Sequence, residues 1–157
     1  MSDKGVAVVT GGSRGIGRAF VMEAVNRGWD VVFGYRSRSA EAADVVAAVE
    51  KAGARALAVQ GDMANPADVA ALGKQALAFG EVSLLVNNAG LGIECFLQDL
   101  TPELWAEMVA VNLTAPCFLT KALQASLSRN SGAVINLSST GGVVGSVHGP
   151  AYGSTKA

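Results

Sequence analysis

The sequence predicts an α/β chain folded as a doubly wound parallel sheet, and three observations carry that prediction. Apolar runs at Val6–Val9 and at residues 31–33, 56–59, 84–86 and 133–137 are continuous rather than alternating, as in strands covered on both faces by helices. Between them, Val45, Val46 and Val49, and then Val69, Leu72, Ala76 and Phe79, recur at helical spacing and give each segment one apolar stripe. The turn Thr10-Gly11-Gly12-Ser13-Arg14-Gly15-Ile16-Gly17 joins the first apolar run directly to a helical segment. Right-handed crossovers then place a ligand at the carboxyl edge of the strands, near the point where strand order reverses.

Each element has its own end signals. Ser39 with Glu41, and Asn65-Pro66 with Asp68, read as helix N-caps followed by an acidic first turn, while Gly28, Gly53 and Gly80 stand where helices stop. The longest helix opens at Thr101-Pro102-Glu103 and is expected to run to about Ser126. Within it Pro116 has no N–H for the carbonyl of Asn112, which predicts either a kink holding an ordered water on that oxygen or a bend fitted to the sheet alone. A short last helix is expected from about Tyr152.

Composition bounds the function. The 157 residues are half apolar and carry 12 basic against 13 acidic side chains, as in one domain spanning 1–157 with no charged tail for nucleic acid. No apolar run approaches the ~18 residues of a membrane span, and the short polar start Met1-Ser2-Asp3-Lys4-Gly5 leads into the first strand; both predict a cytoplasmic protein. Cys95, Cys117 and His148 have no zinc-site spacing, so no metal is expected and both thiols are expected to be buried.

The glycine turn carries the chemistry. Glycine admits positive φ and lets the backbone approach a bulky ligand, and the helix that follows directs unpaired N–H groups and a partial positive charge at the same place, so an anion belongs there. The spacing T-G-x-x-x-G-x-G resembles that of the short-chain dehydrogenase/reductase family, and further matches follow along the whole chain: Asn87-Asn88-Ala89-Gly90 after the fourth strand, Asn112 in Val111-Asn112-Leu113, Ser139, and Tyr152 with Lys156 four residues on. The resemblance implies a Rossmann-type fold and a nicotinamide cofactor held by Gly11, Ser13, Arg14, Gly15, Ile16 and Gly17 in the turn. It extends that set to Tyr35, Arg36 and Ser37 after the second strand, Asp62 and Met63 after the third, and Asn88, Ala89 and Gly90 after the fourth, with Tyr152 and Lys156 completing it.

The second strand ends in Gly34-Tyr35-Arg36-Ser37 with no carboxylate to accept from ribose hydroxyls, whereas Arg14 and Arg36 suit a 2′-phosphate; NADP(H) is therefore expected over NAD(H). Asp62 either accepts from the adenine amino group or starts a turn. Asn87-Asn88-Ala89-Gly90 divides between tying strand ends together and leaving room for the ribose.

For catalysis the resemblance implies Asn112, Ser139, Tyr152 and Lys156. On a helix Tyr152 and Lys156 share one face. A phenol is a poor proton donor and acceptor near neutrality, and a cation within about 4–6 Å favours its ionised form. Tyr152 would exchange the proton with the substrate oxygen, Ser139 would orient that oxygen, Lys156 would also grip the nicotinamide ribose, and Asn112 would anchor a proton-relay water.

The expected activity interconverts a carbonyl and a secondary alcohol, most like the 3-oxoacyl-carrier-protein reductase branch. The alternatives are a sugar, polyol or steroid dehydrogenase, or a catalytically silent NADP-binding sensor. The substrate is a small or carrier-bound carbonyl compound; loops 91–97 and 141–149 are expected to shape its pocket and, being glycine-rich, to move. Arg129 reads either as a contact for an acidic carrier or as a cation at a helix C-terminus. The family implies a homo-oligomer, commonly a tetramer built partly through the long helix. It also implies two further strand units and a lid, so the chain is expected to be the N-terminal part of a longer protein, with its fifth strand a bare edge, cofactor binding weak and turnover absent.

Overall fold

In the computed structural model, which describes residues 4–145 and 148–157, five strands alternate with helices. The order is β1 (Val6–Val9), α1 (Gly15–Asn26), β2 (Asp30–Tyr35), α2 (Ser39–Lys51), β3 (Ala56–Gln60), α3 (Pro66–Phe79) and β4 (Val82–Asn87). Then come α4 (Pro102–Val109), α5 (Ala115–Arg129), β5 (Ala133–Asn136), α6 (Gly141–Val144) and α7 (Pro150–Lys156). All strand pairs are parallel and the sheet order is β3-β2-β1-β4-β5. The chain moves outward from β1 to β3 and then crosses back to β4, so the reversal of order falls between β1 and β4.

Alternate residues of one strand feed two cores. Val6 and Val8 of β1 face Leu72, Ala76, Leu119 and Leu123 of α3 and α5; Ala7 and Val9 face Val21, Val45 and Val49 of α1 and α2. That division of one continuous apolar run between two helix layers is why the run does not alternate. Of the expected stripes, Val45, Val49, Val69, Leu72 and Ala76 are buried, and Val46 and Phe79 are half-buried.

Several local expectations are corrected. Ser39 is the first helical residue rather than the cap; Arg38 holds the cap position of α2 without a capping side chain. Asn65 and Thr101 do cap, accepting from the N–H groups of Ala67 and Leu104. The long helix is not simply kinked: residues 110–114 form a widened π-type turn in which the Ala115 N–H reaches back to the Ala110 carbonyl, and α5 continues to Arg129. A wider turn accommodates a proline at 116, which cannot donate within the normal ladder. α7 begins at Pro150, the favoured first helical position, rather than at Tyr152. β5 ends at Asn136 and is exposed along its length, so the expectation of two covered faces fails for this edge strand, while the bare edge is present. Cys95 is half-buried and Cys117 exposed, because α5 buries Ala115, Leu119 and Leu123 and turns residue 117 outward. Of the two loops, 97–99 forms a 3₁₀ turn and 141–144 a helical turn; Ser146 and Val147, like residues 1–3, lie outside the described residues.

Candidate active site

The carboxyl ends of β1, β2, β3 and β4 open into one cleft of about 350 Å³, a size suited to a bound small molecule. Its walls carry the turn residues Gly11, Ser13, Arg14, Gly15, Ile16 and Gly17, then Tyr35, Arg36 and Ser37, then Asp62 and Met63, then Asn88, Ala89 and Gly90. Five further residues line it that the motif reading missed: Gly34, Arg38, Gly61, Leu91 and Val111. Arg38 had a sequence signal, since it is the next basic residue after Arg36 and immediately precedes a helix. Leu91 opens the loop expected to shape the substrate pocket, and Val111 stands next to Asn112 in its motif.

The turn is shaped to admit a ligand backbone-first. Gly15 takes φ +54 with nothing within 4 Å of an added Cβ, so its backbone borders open space. A Cβ at Gly17 would instead drive into the Gly11 carbonyl oxygen and stand 2.5 Å from Asn88 Nδ2. The bend is therefore closed on its protein side and open on its cleft side, a cradle for a bulky anion at the start of α1.

Thr10 fastens this bend to β4. Its buried hydroxyl oxygen accepts from the N–H groups of Asn88 (3.0 Å) and Ala89 (2.9 Å), while Asn88 Nδ2 donates to the carbonyls of Thr10 and Gly11. Asn87 Nδ2 donates to Asn136 Oδ1 at 2.8 Å, joining β4 to β5. The four-residue motif thus locks three strand ends together along one rim of the cleft.

Arginines gather at the far end. Arg36 lies 3.8 Å from Asp62 and Arg38 pairs with Glu41 at 2.9 Å. The other Asp62 oxygen accepts from the Ala64 N–H, so Asp62 also starts a turn, the second of its two expected roles.

Tyr152, Lys156 and Ser139 stand beside the cleft on α7 and on the segment after β5, outside the walls named above. Lys156 Nζ lies 6.0 Å from the Tyr152 ring centre and donates to the Leu137 carbonyl at 2.7 Å. An added Cβ at Gly90 would sit 3.6 Å from Lys156 Nζ, and one at Gly141 3.6 Å from Ser139 Oγ and 3.8 Å from the Tyr152 ring. Lys156 thus reaches the cleft wall at Gly90, while Ser139 and the Tyr152 ring come together at Gly141.

The Asn112 side chain is engaged within the protein. Its buried amide accepts from the Leu91 N–H (2.8 Å) and donates to the Leu91 carbonyl (2.9 Å) and to Thr155 Oγ1 (2.9 Å). Thr155 in turn donates to the Tyr152 carbonyl. The side chain therefore clamps α7 to the loop after β4. Arg129 is remote: it pairs with Glu81 at 3.2 Å at the opposite edge of the sheet, in the last turn of α5. Among the described residues, no three His, Cys, Asp or Glu side chains are grouped to hold a metal ion, and no helix is long and apolar enough to cross a membrane.

The family profile described as short chain dehydrogenase matches residues 5–157. The chain belongs to that family. A 3-oxoacyl-[acyl-carrier-protein] reductase of Synechocystis sp. is 38% identical over 154 residues, covering 97% of this chain and 62% of the relative. The short-chain dehydrogenase/reductase FrzI of Cladobotryum sp. is 36% identical over 154 residues, covering 96% and 58%. Among solved structures, a blue fluorescent protein from a metagenomic library in complex with NADPH superimposes with a TM-score of 0.92 at 37% identity, over 96% of this chain and 62% of that one. A 3-oxoacyl (acyl-carrier-protein) reductase from Agrobacterium tumefaciens C58 with NADP bound gives 0.88 at 28% identity, over 96% and 58%. The chain spans about three-fifths of the length of the curated relatives it matches.

Proposed function

We propose that this chain carries the cofactor cleft and acid–base residues of an NADP(H)-dependent oxidoreductase that interconverts a carbonyl and a secondary alcohol. The observation that carries the reading is that Lys156 reaches the cleft wall at Gly90 with the Tyr152 ring and Ser139 together at Gly141, while Arg14, Arg36 and Arg38 line the same cleft. The distribution suits NADP(H): an open glycine bend for the pyrophosphate lies between guanidinium groups for the 2′-phosphate and the hydroxyl-bearing side chains. When bound, the nicotinamide supplies or accepts the hydride.

The protein's part is positioning and proton transfer. In reduction, the Tyr152 hydroxyl gives its proton to the substrate oxygen as negative charge develops there, and Ser139 Oγ donates a hydrogen bond to the same oxygen. Lys156, fixed through the Leu137 carbonyl, keeps its ammonium group one helical turn from the phenol. Asn112 is a positioning residue, holding α7 through Thr155 at the register that sets Tyr152 beside Gly92 and Gly141. The substrate is a ketone of the 3-oxoacyl type, entering past loop 91–97. Exposed Trp105, Leu113 and Phe118 on α4, the π turn and α5 form the face through which copies of the chain associate.

The test follows NADPH oxidation at 340 nm by a panel of 3-oxoacyl thioesters and cyclic ketones in the full-length protein and in its Tyr152→Phe variant. Loss of a general acid should cost roughly 10²–10⁴-fold in rate with NADPH affinity retained. Undiminished reduction by the variant removes Tyr152 from its role, and NADPH binding without oxidation by any carbonyl compound favours the sensor reading.

A further inference from the structure

We propose that Glu41 is a specificity-determining residue of the cofactor cleft: an exchangeable counter-ion that holds Arg38 in the absence of nucleotide and competes with the 2′-phosphate for it. The inference rests on reading the cleft as an NADP(H) site and goes beyond it by assigning opposed roles to two residues outside the motif set.

Three guanidinium groups, those of Arg14, Arg36 and Arg38, line one end of the cleft. Like charges gathered there repel one another, and two carboxylates offset them. Asp62 stands 3.8 Å from Arg36 but is fixed, since its other oxygen accepts from the Ala64 N–H and its backbone N–H is held by Asp68. Glu41 is the partner of Arg38. Its side chain is 43% exposed, sits in the first turn of α2, and meets Arg38 at 2.9 Å across three residues. Exposed pairs of this kind are weak and exchange readily. The hydrogen bond from Arg38 and then one from the Glu41 backbone N–H, with smaller help from the charges of Arg38 and Arg14, hold the Glu41 carboxyl below its ordinary range, so both arginines feel this anion.

A 2′-phosphate brings close to two negative charges and three acceptor oxygens, a better partner for a guanidinium fork than one carboxylate. When it arrives, Arg38 turns from Glu41 to the phosphate, and the released carboxylate, next to the cleft wall at Arg38 rather than in it, is left near the incoming anion. Its repulsion tempers affinity for 2′-phosphorylated nucleotides and leaves non-phosphorylated ones untouched. Glu41 therefore lowers the discrimination that the three arginines would otherwise give.

The experiment is calorimetric titration of the chain with 2′,5′-ADP and with 5′-ADP, in the wild type, Glu41→Gln, Arg38→Gln and the double variant, with circular dichroism to verify folding. The expected result is that Glu41→Gln binds 2′,5′-ADP about two- to fivefold more tightly and 5′-ADP unchanged. Arg38→Gln should weaken 2′,5′-ADP alone, and the gain from Glu41→Gln should shrink in the Arg38→Gln background, a coupling that a merely structural role would not produce. Unchanged 2′,5′-ADP affinity in folded Glu41→Gln, or an equal gain for both nucleotides, overturns the inference while leaving the cleft assignment intact. A wild type that binds neither nucleotide overturns both.

Discussion

Gly15 and Gly17 lie two positions apart in the same bend, yet an added methyl group meets opposite surroundings at each. At Gly17 it collides with the Gly11 carbonyl and the Asn88 amide, so Gly17→Ala is expected to destabilise the fold by about 3 kcal/mol or more. At Gly15 there is space and only the left-handed backbone opposes it, so Gly15→Ala is expected to cost about 1 kcal/mol. Urea denaturation of the two variants checks both, and equal costs would mean that the bend is not closed on its Asn88 side. The bend was legible in the sequence because glycine spacing between a strand and a helix is a local signal. The clamp made by Asn112 was not: its partners Leu91 and Thr155 are 21 and 43 residues away. Pro116 pointed to the Asn112 main-chain carbonyl and carried no signal for its side chain.

Between elements, a polar seam joins the start of β4 to the end of α5. Buried Ser126 accepts from the Val82 N–H at 2.8 Å and donates to Glu81, which also takes Arg129 and Asn130. Ser126→Ala leaves the Val82 N–H without its partner, at an expected cost of about 1–3 kcal/mol in thermal unfolding. The same seam fixes a pH dependence. Hydrogen bonds from Asn130, Ser126 and Arg129 hold the Glu81 carboxyl below its ordinary value of 4.5. A depressed folded-state value means that the stability Glu81 adds is present above its unfolded pKa and is lost as pH falls through the folded one. The difference in melting temperature between wild type and Glu81→Gln should therefore be visible at pH 6–7 and close as pH falls below about 4. A gap that persists in acid would assign the effect to shape rather than charge. Helix and strand order was readable because each run of valines and each Asn-Pro or Thr-Pro start is a short-range cue. The π turn, by contrast, depends on how α5 meets the sheet, and the proline signalled only that something must give.

For the molecule as a whole, one sheet reversal between β1 and β4 gathers residues from five separate stretches of chain into a single groove, which is why fold class and cleft location follow from alternation and glycine spacing together. What leaves no such pattern is the outer surface. Val134 and Ile135 on β5 are each 39% exposed, and Leu113 and Phe118 more than half exposed. If the α4–α5 face joins copies of the chain, Leu113→Glu with Phe118→Glu should lower the sedimentation coefficient while the circular dichroism spectrum stays unchanged; an unaltered coefficient would place the association elsewhere. The central assignment, that the glycine bend cradles a pyrophosphate and thereby directs a nicotinamide at Tyr152, is tested most directly by a crystal structure with NADP+. The expected density runs from the arginines at 14, 36 and 38, across the N–H groups that open α1, to Lys156 and Tyr152. Density that avoids the bend, or that turns the nicotinamide away from Tyr152, would contradict it.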